Sequence, residues 1–285
     1  LENAYYNGFY DAMVSFIRSF FESALKTNDA LEFAVITGCL RISKESIFTG
    51  LNHLTINSVL DPNFAEYFGF TQDETEAMLR DYCLVEKVEE VRHWYDGYLF
   101  GDTEVYNPWS VVKYVETHEA DHNALPRPFW ANTSSNTIIR DLINNADGSQ
   151  RDELERLMAQ GTIEKQLHED ITYDDIYEND DNLWSFLFFT GYVKKVSERA
   201  IDNKTYLTMC IPNIEVRNIY SDQIIYWFDK IKKDTDRNEL YKGIIEKDSK
   251  KIGDYLSNLL SRSISYFDSN EFFYHGFFLS LLYDM

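Results

Sequence analysis

The chain has 285 residues, 44% of them hydrophobic and 16% aromatic, and a formal net charge of −21. This composition excludes a disordered chain and supports a sizeable core, with enough length for two domains. Residues 61–183 carry 9 Lys/Arg against 28 Asp/Glu, whereas residues 184–285 carry 14 of each. Because phosphate contacts require clustered Lys and Arg, the acidic middle segment is a poor candidate for gripping nucleic acid. Any nucleic-acid contact would have to come from the C-terminal third or from a flanking segment.

The sequence contains no apolar run of the ~18–20 residues that a membrane-spanning helix needs, so we expect no membrane association. Its three cysteines, Cys39, Cys83 and Cys210, are widely spaced and odd in number. This pattern argues against a zinc site or a disulfide framework and fits a reduced compartment. We therefore expect a cytoplasmic protein.

The first elements in chain order are a helix and a strand. Residues 7–26 place apolar side chains at helical spacing, and residues 31–38 are a short apolar run that ends in a Gly turn. Together they look like part of a layered α/β unit. The chain has no initiating Met and stops within an apolar run, so we expect it to be a fragment of a longer protein.

The next segment carries strong local signals. Thr71 and Glu74 form a capping-box pattern at a helix start, and residues 85–94 predict a second helix. A hairpin is predicted over 94–106 around its Gly-Asp turn, and Pro108 is well placed as the first residue of the following helix.

The later segments alternate between helix, loop and strand signals. We predict a loop at 119–129 and helices at 134–146, 150–160, 181–189, 214–228, 238–260 and 270–283. Two β-like runs at 191–196 and 206–212 are separated by a polar stretch. A helix, a two-stranded wing and another helix suggest a winged-helix-like unit.

Seven strings have the order and spacing of one family. They are FAVITGCLRISK (33–44), WYDGY (94–98), YNPWS (106–110), WANT (130–133), FFTGY (188–192), IPN (211–213) and FFYHGF (272–277). In these strings the chain resembles the bacterial and archaeal AAA-ATPase-like proteins that carry a C-terminal PD-(D/E)XK nuclease-like domain. Each string is weak alone, but seven in sequence are specific.

The resemblance implies an α+β, predominantly α-helical chain in four parts. These are a remnant of a P-loop ATPase α/β core (1–60), a helical lid region with a small hairpin (61–180), the winged-helix-like unit (181–229) and the entry helices of the nuclease-like domain (230–285). The family's P-loop then lies upstream of Leu1, and most nuclease carboxylates lie beyond Met285. These two missing regions of the parent protein would be the chain's partners.

The resemblance also implies a function. The parent protein would couple ATP binding or hydrolysis, with Mg²⁺, to a nuclease-like or nucleic-acid-related output. No G-x-x-x-x-G-K-[ST] string occurs in the chain, so we expect the fragment itself to hold no cofactor and to be inactive. The alternative is a regulatory or protein-interaction module whose ATPase and nuclease parts are degenerate, with the acidic middle as a docking surface.

Two candidate catalytic residues follow from the resemblance. Thr37 ends the predicted strand, where such ATPases place a polar residue beside the γ-phosphate and the attacking water. Arg41, with Lys44 close by, offers positive charge near a γ-phosphate. The alternatives are non-catalytic: Thr37 would only end the strand, and Arg41 and Lys44 would lie on a solvated loop.

Glu271 and His275 are the candidate metal ligands. Their spacing of four places both on one face of a predicted helix, where they could form one edge of a Mg²⁺ site. The plain alternative is a buried His beside a capping Glu. The acidic stretch at 168–181 lacks the loop pattern of a calcium site and is expected to be a solvated surface.

The aromatic strings at 94–98 and 106–109 could stack a ligand, but aromatics that flank a tight hairpin more often pack it onto helices. For both strings we therefore favour a packing role over ligand binding.

The predicted helix at 270–283 is apolar on nearly all sides, as in a helix buried between layers. We expect the purified chain to cover this helix by self-association, which light scattering across a dilution series would detect. A stable monomer that covers the helix with its own residues would contradict the domain boundary near 230. In that case Phe277→Asp should unfold the chain rather than dissociate it.

Overall fold

The computed structural model describes residues 2–26, 28–38, 55–132, 137–145, 147–171, 173, 175–176, 178–234 and 238–263. Within these ranges the protein is mainly α-helical, with short strands in two small antiparallel sheets. This confirms the predicted α+β, predominantly helical class. The chain divides into two compact units: unit 1 is Leu1–Trp130 with Gln160–Arg217, and unit 2 is Ala131–Ala159 with Asn218–Met285.

The elements are defined here in chain order. The helices are α1 (Glu2–Tyr6), α2 (Tyr10–Phe21), α3 (Gln72–Asp81), α4 (Val88–Tyr95), α5 (Pro108–Ala120), α6 (Thr137–Asn145), α7 (Gly148–Met158), α8 (Asp180–Phe189), α9 (Ile214–Asp234), α10 (Asn238–Glu246) and α11 (Ser249–Ser263). The strands are β1 (Tyr98–Phe100), β2 (Thr103–Val105), β3 (Ile163–Gln166), β4 (Lys194–Ile201) and β5 (Lys204–Cys210).

The helix predicted at 7–26 is confirmed as α2, which continues as one π-helical turn at Glu22–Lys26. The strand predicted at 31–38 is wrong, because these residues lie in neither helix nor strand. Phe33 and Val35 are 81% and 75% exposed rather than buried. A strand needs a hydrogen-bonded neighbour, and the described part of the chain supplies none for this segment.

The capping box predicted at the start of α3 is confirmed. The Thr71 hydroxyl accepts from the Glu74 backbone N–H, and the Glu74 carboxylate accepts in return from the Thr71 backbone N–H at 2.9 Å. The Thr71 N–H and the Thr71 hydroxyl both donate to the Glu74 carboxylate, and these two bonds lower its pKa. The helix predicted at 85–94 begins as a single 3-10 turn, Val85–Lys87, and continues as α4.

Helices α3, α4 and α5 enclose one hydrophobic core cluster of unit 1. Its fully or nearly fully buried members are Leu79, Leu84, Val91, Tyr95, Tyr106, Val111, Tyr114 and Val115. The Tyr95 hydroxyl donates to the Arg127 carbonyl at 3.0 Å and accepts from the Arg127 N–H at 3.2 Å. This pair of bonds fastens the predicted 119–129 loop, which follows α5, to the end of α4.

The predicted hairpin is confirmed as β1 and β2, which pair antiparallel around a two-residue Gly101-Asp102 turn. The next helix, α5, begins as predicted at Pro108, and the Asn107 side chain caps it by accepting from the Trp109 N–H. Fixed φ at Pro108 and a capping amide at Asn107 are both local features, so they can be read from the sequence.

The second sheet of unit 1 has three antiparallel strands in the order β3-β5-β4. The two predicted β-like runs pair as expected, but β4 starts later and runs to Ile201, with an irregularity between Lys195 and Ser197. The β4–β5 turn is Asp202-Asn203, both at positive φ, as a two-residue hairpin turn requires. The third strand, β3, has no counterpart in the sequence-based predictions.

Unit 2 contains the predicted helices at 134–146 and 150–160 as α6 and α7. The single helix predicted at 238–260 is two helices, because the chain turns between α10 and α11 at Lys247, which has φ +54. Leu240 is fully buried between them. The helix predicted at 270–283 lies outside the described residues, and none of the described helices is long and apolar enough to cross a bilayer.

Gly101→Ala should destabilise the protein by about 1–3 kcal/mol, because Gly101 has φ +53 and an added Cβ would lie 2.6 Å from the Pro62 Cα. Gly148→Ala is the matched control, since Gly148 opens α7 with nothing within 4 Å of an added Cβ. The control should be neutral or stabilising by up to ~1 kcal/mol. Urea denaturation of both variants would test this, and equal effects would contradict it.

Candidate functional site

The structure describes one of the four site residues predicted from the sequence. Thr37 lies in the irregular segment 31–38 and is exposed. Arg41, Glu271 and His275 lie outside the described residues, as does Lys44. Within the described ranges, no group of three or more His, Cys, Asp or Glu side chains could hold a metal ion. The roles predicted for Thr37, Arg41, Glu271 and His275 therefore stay predictions.

Five of the seven family-like strings meet at one place in unit 1. We call this place the motif cluster and define it as Asp96, Gly97, Ser110, Trp130, Tyr192, Asn213 and Glu215. The first six belong to the strings at 94–98, 106–110, 130–133, 188–192 and 211–213, and Glu215 follows the last string by two residues. The cluster joins segments that are as many as 117 residues apart in sequence.

Glu215 is the centre of the motif cluster, on the first turn of α9. Its side chain is fully buried. The Ser110 hydroxyl on α5 donates to the carboxylate, with its oxygen 2.9 and 2.8 Å from the two carboxylate oxygens. The Trp130 backbone N–H donates to the same carboxylate at 2.8 Å. One acid thus connects α5, the segment at 130 and α9.

Burial controls the ionisation of Glu215. It raises the pKa of the carboxyl to about 7, although the N–H of Trp130, the hydroxyl of Ser110 and the N–H of Phe129 all act to lower it. The pKa of Asp96 is likewise raised by burial, to about 6, against a lowering contribution from the Gly97 N–H. The motif cluster therefore holds two carboxyl groups that titrate near neutral pH.

Asn213 connects the start of α9 to the string at 94–98. Its amide nitrogen donates to the Asp96 carbonyl at 2.9 Å, and its amide oxygen accepts from the Val216 N–H at 3.0 Å. Gly97 is required beside it, because it has φ +102 and an added Cβ would lie 2.6 Å from the Pro212 carbonyl oxygen. The chain after α4 and the chain before α9 are therefore in direct contact.

The string at 188–192 contacts the rest of the motif cluster through an aromatic pair. The Tyr192 and Trp130 rings lie with their centroids 4.9 Å apart. Trp130 thus uses its backbone to bind Glu215 and its ring to pack against Tyr192. The packing role favoured for the aromatic strings at 94–98 and 106–109 agrees with the position of Trp94, Tyr95 and Tyr106 in or against the core of α3, α4 and α5, whereas Trp109 is 48% exposed.

The motif cluster has the character of a buried cross-link. Ser110 and Glu215 have no exposed surface, and Asp96 is 6% exposed. A general acid or base must come within hydrogen-bonding reach of a substrate, which full burial prevents. A buried acid with matched donors instead fixes the relative positions of the segments that supply them.

Sequence reasoning missed both Ser110, as a ligand of an acid, and Glu215. A signal was present: Glu215 is the single acidic residue between Asp202 and Asp222, and it opens a helix that is otherwise buried at its start. An isolated acid at that point resembles an ordinary helix N-terminal acid, which stabilises the helix dipole from the surface. Only the positions of Ser110 and Trp130 distinguish the two.

A second polar group links β3 to α8. The His168 N–H donates to the Ser185 hydroxyl at 3.0 Å, and the His168 ring is hydrogen-bonded to Asn182. The Ser185 hydroxyl in turn donates to the Asp181 carbonyl at 2.6 Å. Ser185 is 1% exposed, so this group also joins elements rather than presenting a nucleophile.

The chain is similar to a protein of Azotobacter. The chain is 26% identical over 204 residues to an uncharacterized protein in the vnfD 5′ region of Azotobacter chroococcum mcd 1. The match covers 71% of this chain and 36% of that protein, so the chain spans little more than a third of the relative's length. No protein-family model and no solved structure matches the chain.

The raised pKa of Glu215, about 7 against an ordinary 4.5, makes stability depend on pH. The folded protein retains a proton that the unfolded chain releases, so this contribution is present below pH ~4.5 and is lost as pH rises through ~7. Glu215→Gln keeps the shape and removes the titration. Relative to wild type, the variant should therefore gain about 2–3 kcal/mol between pH 5 and pH 8.

Urea denaturation at pH 5, 6, 7 and 8 would measure this difference. The control is Glu198→Gln, which changes an exposed acid paired with Lys195 in the same unit. Its curve should stay parallel to that of the wild type. Parallel curves for Glu215→Gln and wild type would contradict the role given to Glu215.

Proposed function

We propose that the chain is the connecting part of an AAA-ATPase-like protein that carries a PD-(D/E)XK nuclease-like domain. The whole protein would couple ATP binding or hydrolysis to a nuclease-like or nucleic-acid-related output. The observation that carries the proposal is the convergence of five family-like strings on the motif cluster. Strings that are far apart in sequence but bonded to one another depend on each other, because a change in one leaves a buried partner unsatisfied in another.

The proposed role of this chain is positional. The sequence has no G-x-x-x-x-G-K-[ST] string, the pattern of a P-loop that cradles phosphates. ATP and Mg²⁺ are therefore proposed as cofactors of the whole protein, in the cytoplasm. We retain Thr37 and Arg41 as proposed neighbours of the γ-phosphate, and Glu271 with His275 as a proposed edge of a Mg²⁺ site.

We further propose that α8, the β4–β5 hairpin and α9 form a winged-helix-like unit that packs rather than grips DNA. The order of these elements supports the first part, and β3 adds a third strand to the sheet. The charges on the wing support the second part. Arg199 pairs with Glu164, and Lys195 pairs with Glu198 at 3.0 Å, so acids neutralise two of the four basic side chains that phosphate contacts would use.

The second candidate function is a non-catalytic protein-interaction module. The observation that favours it is the excess of acid in residues 61–183, where 28 Asp/Glu outnumber 9 Lys/Arg. A field of that sign attracts a basic partner and accelerates its association at low salt. Under this candidate the ATPase and nuclease parts of the whole protein would be degenerate.

Calorimetric titration with Mg·ATP separates the two candidates. The chain alone should show no saturable binding in the micromolar range, because it supplies no P-loop. The full-length product of the same gene should bind Mg·ATP and hydrolyse it. A full-length P-loop Lys→Ala variant serves as the control, since that Lys contacts the phosphates.

Two results would overturn the proposal in different ways. Micromolar binding by the chain alone would contradict the proposed location of the nucleotide site. Absence of binding by the full-length product would contradict the ATPase proposal and support the interaction module.

A further inference from the structure

The chain crosses the boundary between the two units at three points, after Trp130, after Ala159 and after Arg217. The third point lies on α9 itself, within one turn of its first residue, Ile214. The residues on the unit 1 side of the three points are Trp130, Gln160 and Arg217. Side-chain bonds from the first turn of α9 hold both Trp130 and Gln160.

The first of these bonds is the one between Glu215 and the Trp130 backbone N–H, at 2.8 Å. This bond holds Trp130, the residue after which the chain first leaves unit 1. Because Glu215 is fully buried and also binds Ser110, its carboxylate cannot move away without exposing unsatisfied donors to an apolar environment.

The second bond holds the point of return. With the Gln160 amide turned so that its oxygen faces Arg217, that oxygen accepts from Arg217 Nη1 at 2.6 Å. Gln160 has φ +64, a left-handed conformation that is uncommon for a residue other than Gly. Gln160 directly follows Ala159, the C-cap of α7, where a left-handed residue commonly ends a helix, so the bond from Arg217 holds the residue just past the end of α7.

The geometry of a helix allows one turn to hold both points. Successive residues are rotated by about 100°, so Glu215 and Arg217, two positions apart, point to nearly opposite sides of α9. One side chain can then reach the segment at 130 and the other the segment at 160. Asn213 caps the same turn by accepting from the Val216 N–H. The Arg217 N–H donates to the Asn213 carbonyl at 3.1 Å, so the backbone of the turn is also closed.

We propose that Asn213–Arg217 is a three-way junction that behaves as a single mechanical element. It holds together the three points at which the chain leaves or enters unit 1. Breaking its bond at one of these points therefore increases local opening at the others. All the bonds concerned lie within unit 1. The proposal is independent of whether the whole protein is an ATPase, because it rests only on these bonds and on the path of the chain.

The amide proton of Trp130 is a direct probe of the junction, because that N–H donates to Glu215. Its hydrogen exchange would be measured by NMR in wild type, Glu215→Leu, Arg217→Met and the double variant, because Leu removes the acceptor that Gln would keep. Arg217→Met is the decisive variant, since it removes the bond to Gln160 and leaves Glu215 and Trp130 unchanged. We expect it to raise the opening equilibrium of the Trp130 amide on the order of tenfold.

Two comparisons keep the test specific. Arg199→Met removes an exposed ion pair with Glu164 in the same unit and should leave Trp130 exchange unchanged. The Leu84 amide, which donates to the Leu79 carbonyl at 2.7 Å in the core, serves as the internal reference. In Arg217→Met, Trp130 exchange should rise more than Leu84 exchange. In the double variant the increase should be smaller than the product of the two single increases.

Three results would overturn the proposal. One is unchanged Trp130 exchange in Arg217→Met, which would make the two bonds independent. Another is an equal rise at Trp130 and Leu84, which would indicate general destabilisation. The third is a double variant whose effect equals the product of the single effects, because independent bonds combine in that way.

Discussion

The buried carboxylate of Glu215 is the interaction on which unit 1 depends. Removing a charge from water costs several kcal/mol, and here hydrogen bonds offset that cost only in part, so burial still raises the pKa of the carboxyl to about 7. Here the donors are the Ser110 hydroxyl and the Trp130 N–H, which belong to segments far from Glu215 in sequence. The requirement to satisfy one acid therefore fixes where α5, the segment at 130 and α9 meet.

Residues of the surrounding strings help to hold together the segments that meet at Glu215. Gly97 allows the Pro212 carbonyl to approach, Asn213 spans from the Asp96 carbonyl to the first turn of α9, and Tyr192 supports the Trp130 ring. None of these residues needs to touch a substrate to be essential. A family-like string can therefore mark a point of assembly, and its presence alone does not identify a catalytic residue.

The sequence predicted the features that depend on neighbouring residues. The capping box at Thr71, the turn at Gly101 and the helix start at Pro108 use local chemistry and are confirmed. Features that depend on distant partners were missed or wrong. The strand β3 is four residues long and is defined by its pairing with β5, whereas 31–38 has strand-like composition without a described partner. Glu215 belongs to the same class, since its burial is set by Ser110 and Trp130.

The path of the chain at the first turn of α9 has a consequence for how the protein could change over evolution. Trp130 and Gln160 are bound by side chains two positions apart on one helix, so both ends of the segment Ala131–Ala159 are held by one turn of α9, on opposite sides of it. A segment whose two ends are held in this way can be lengthened, shortened or exchanged while both attachment points stay in place. The first turn of α9 thus fixes where this segment leaves and re-enters unit 1, and leaves the length of the segment free to vary.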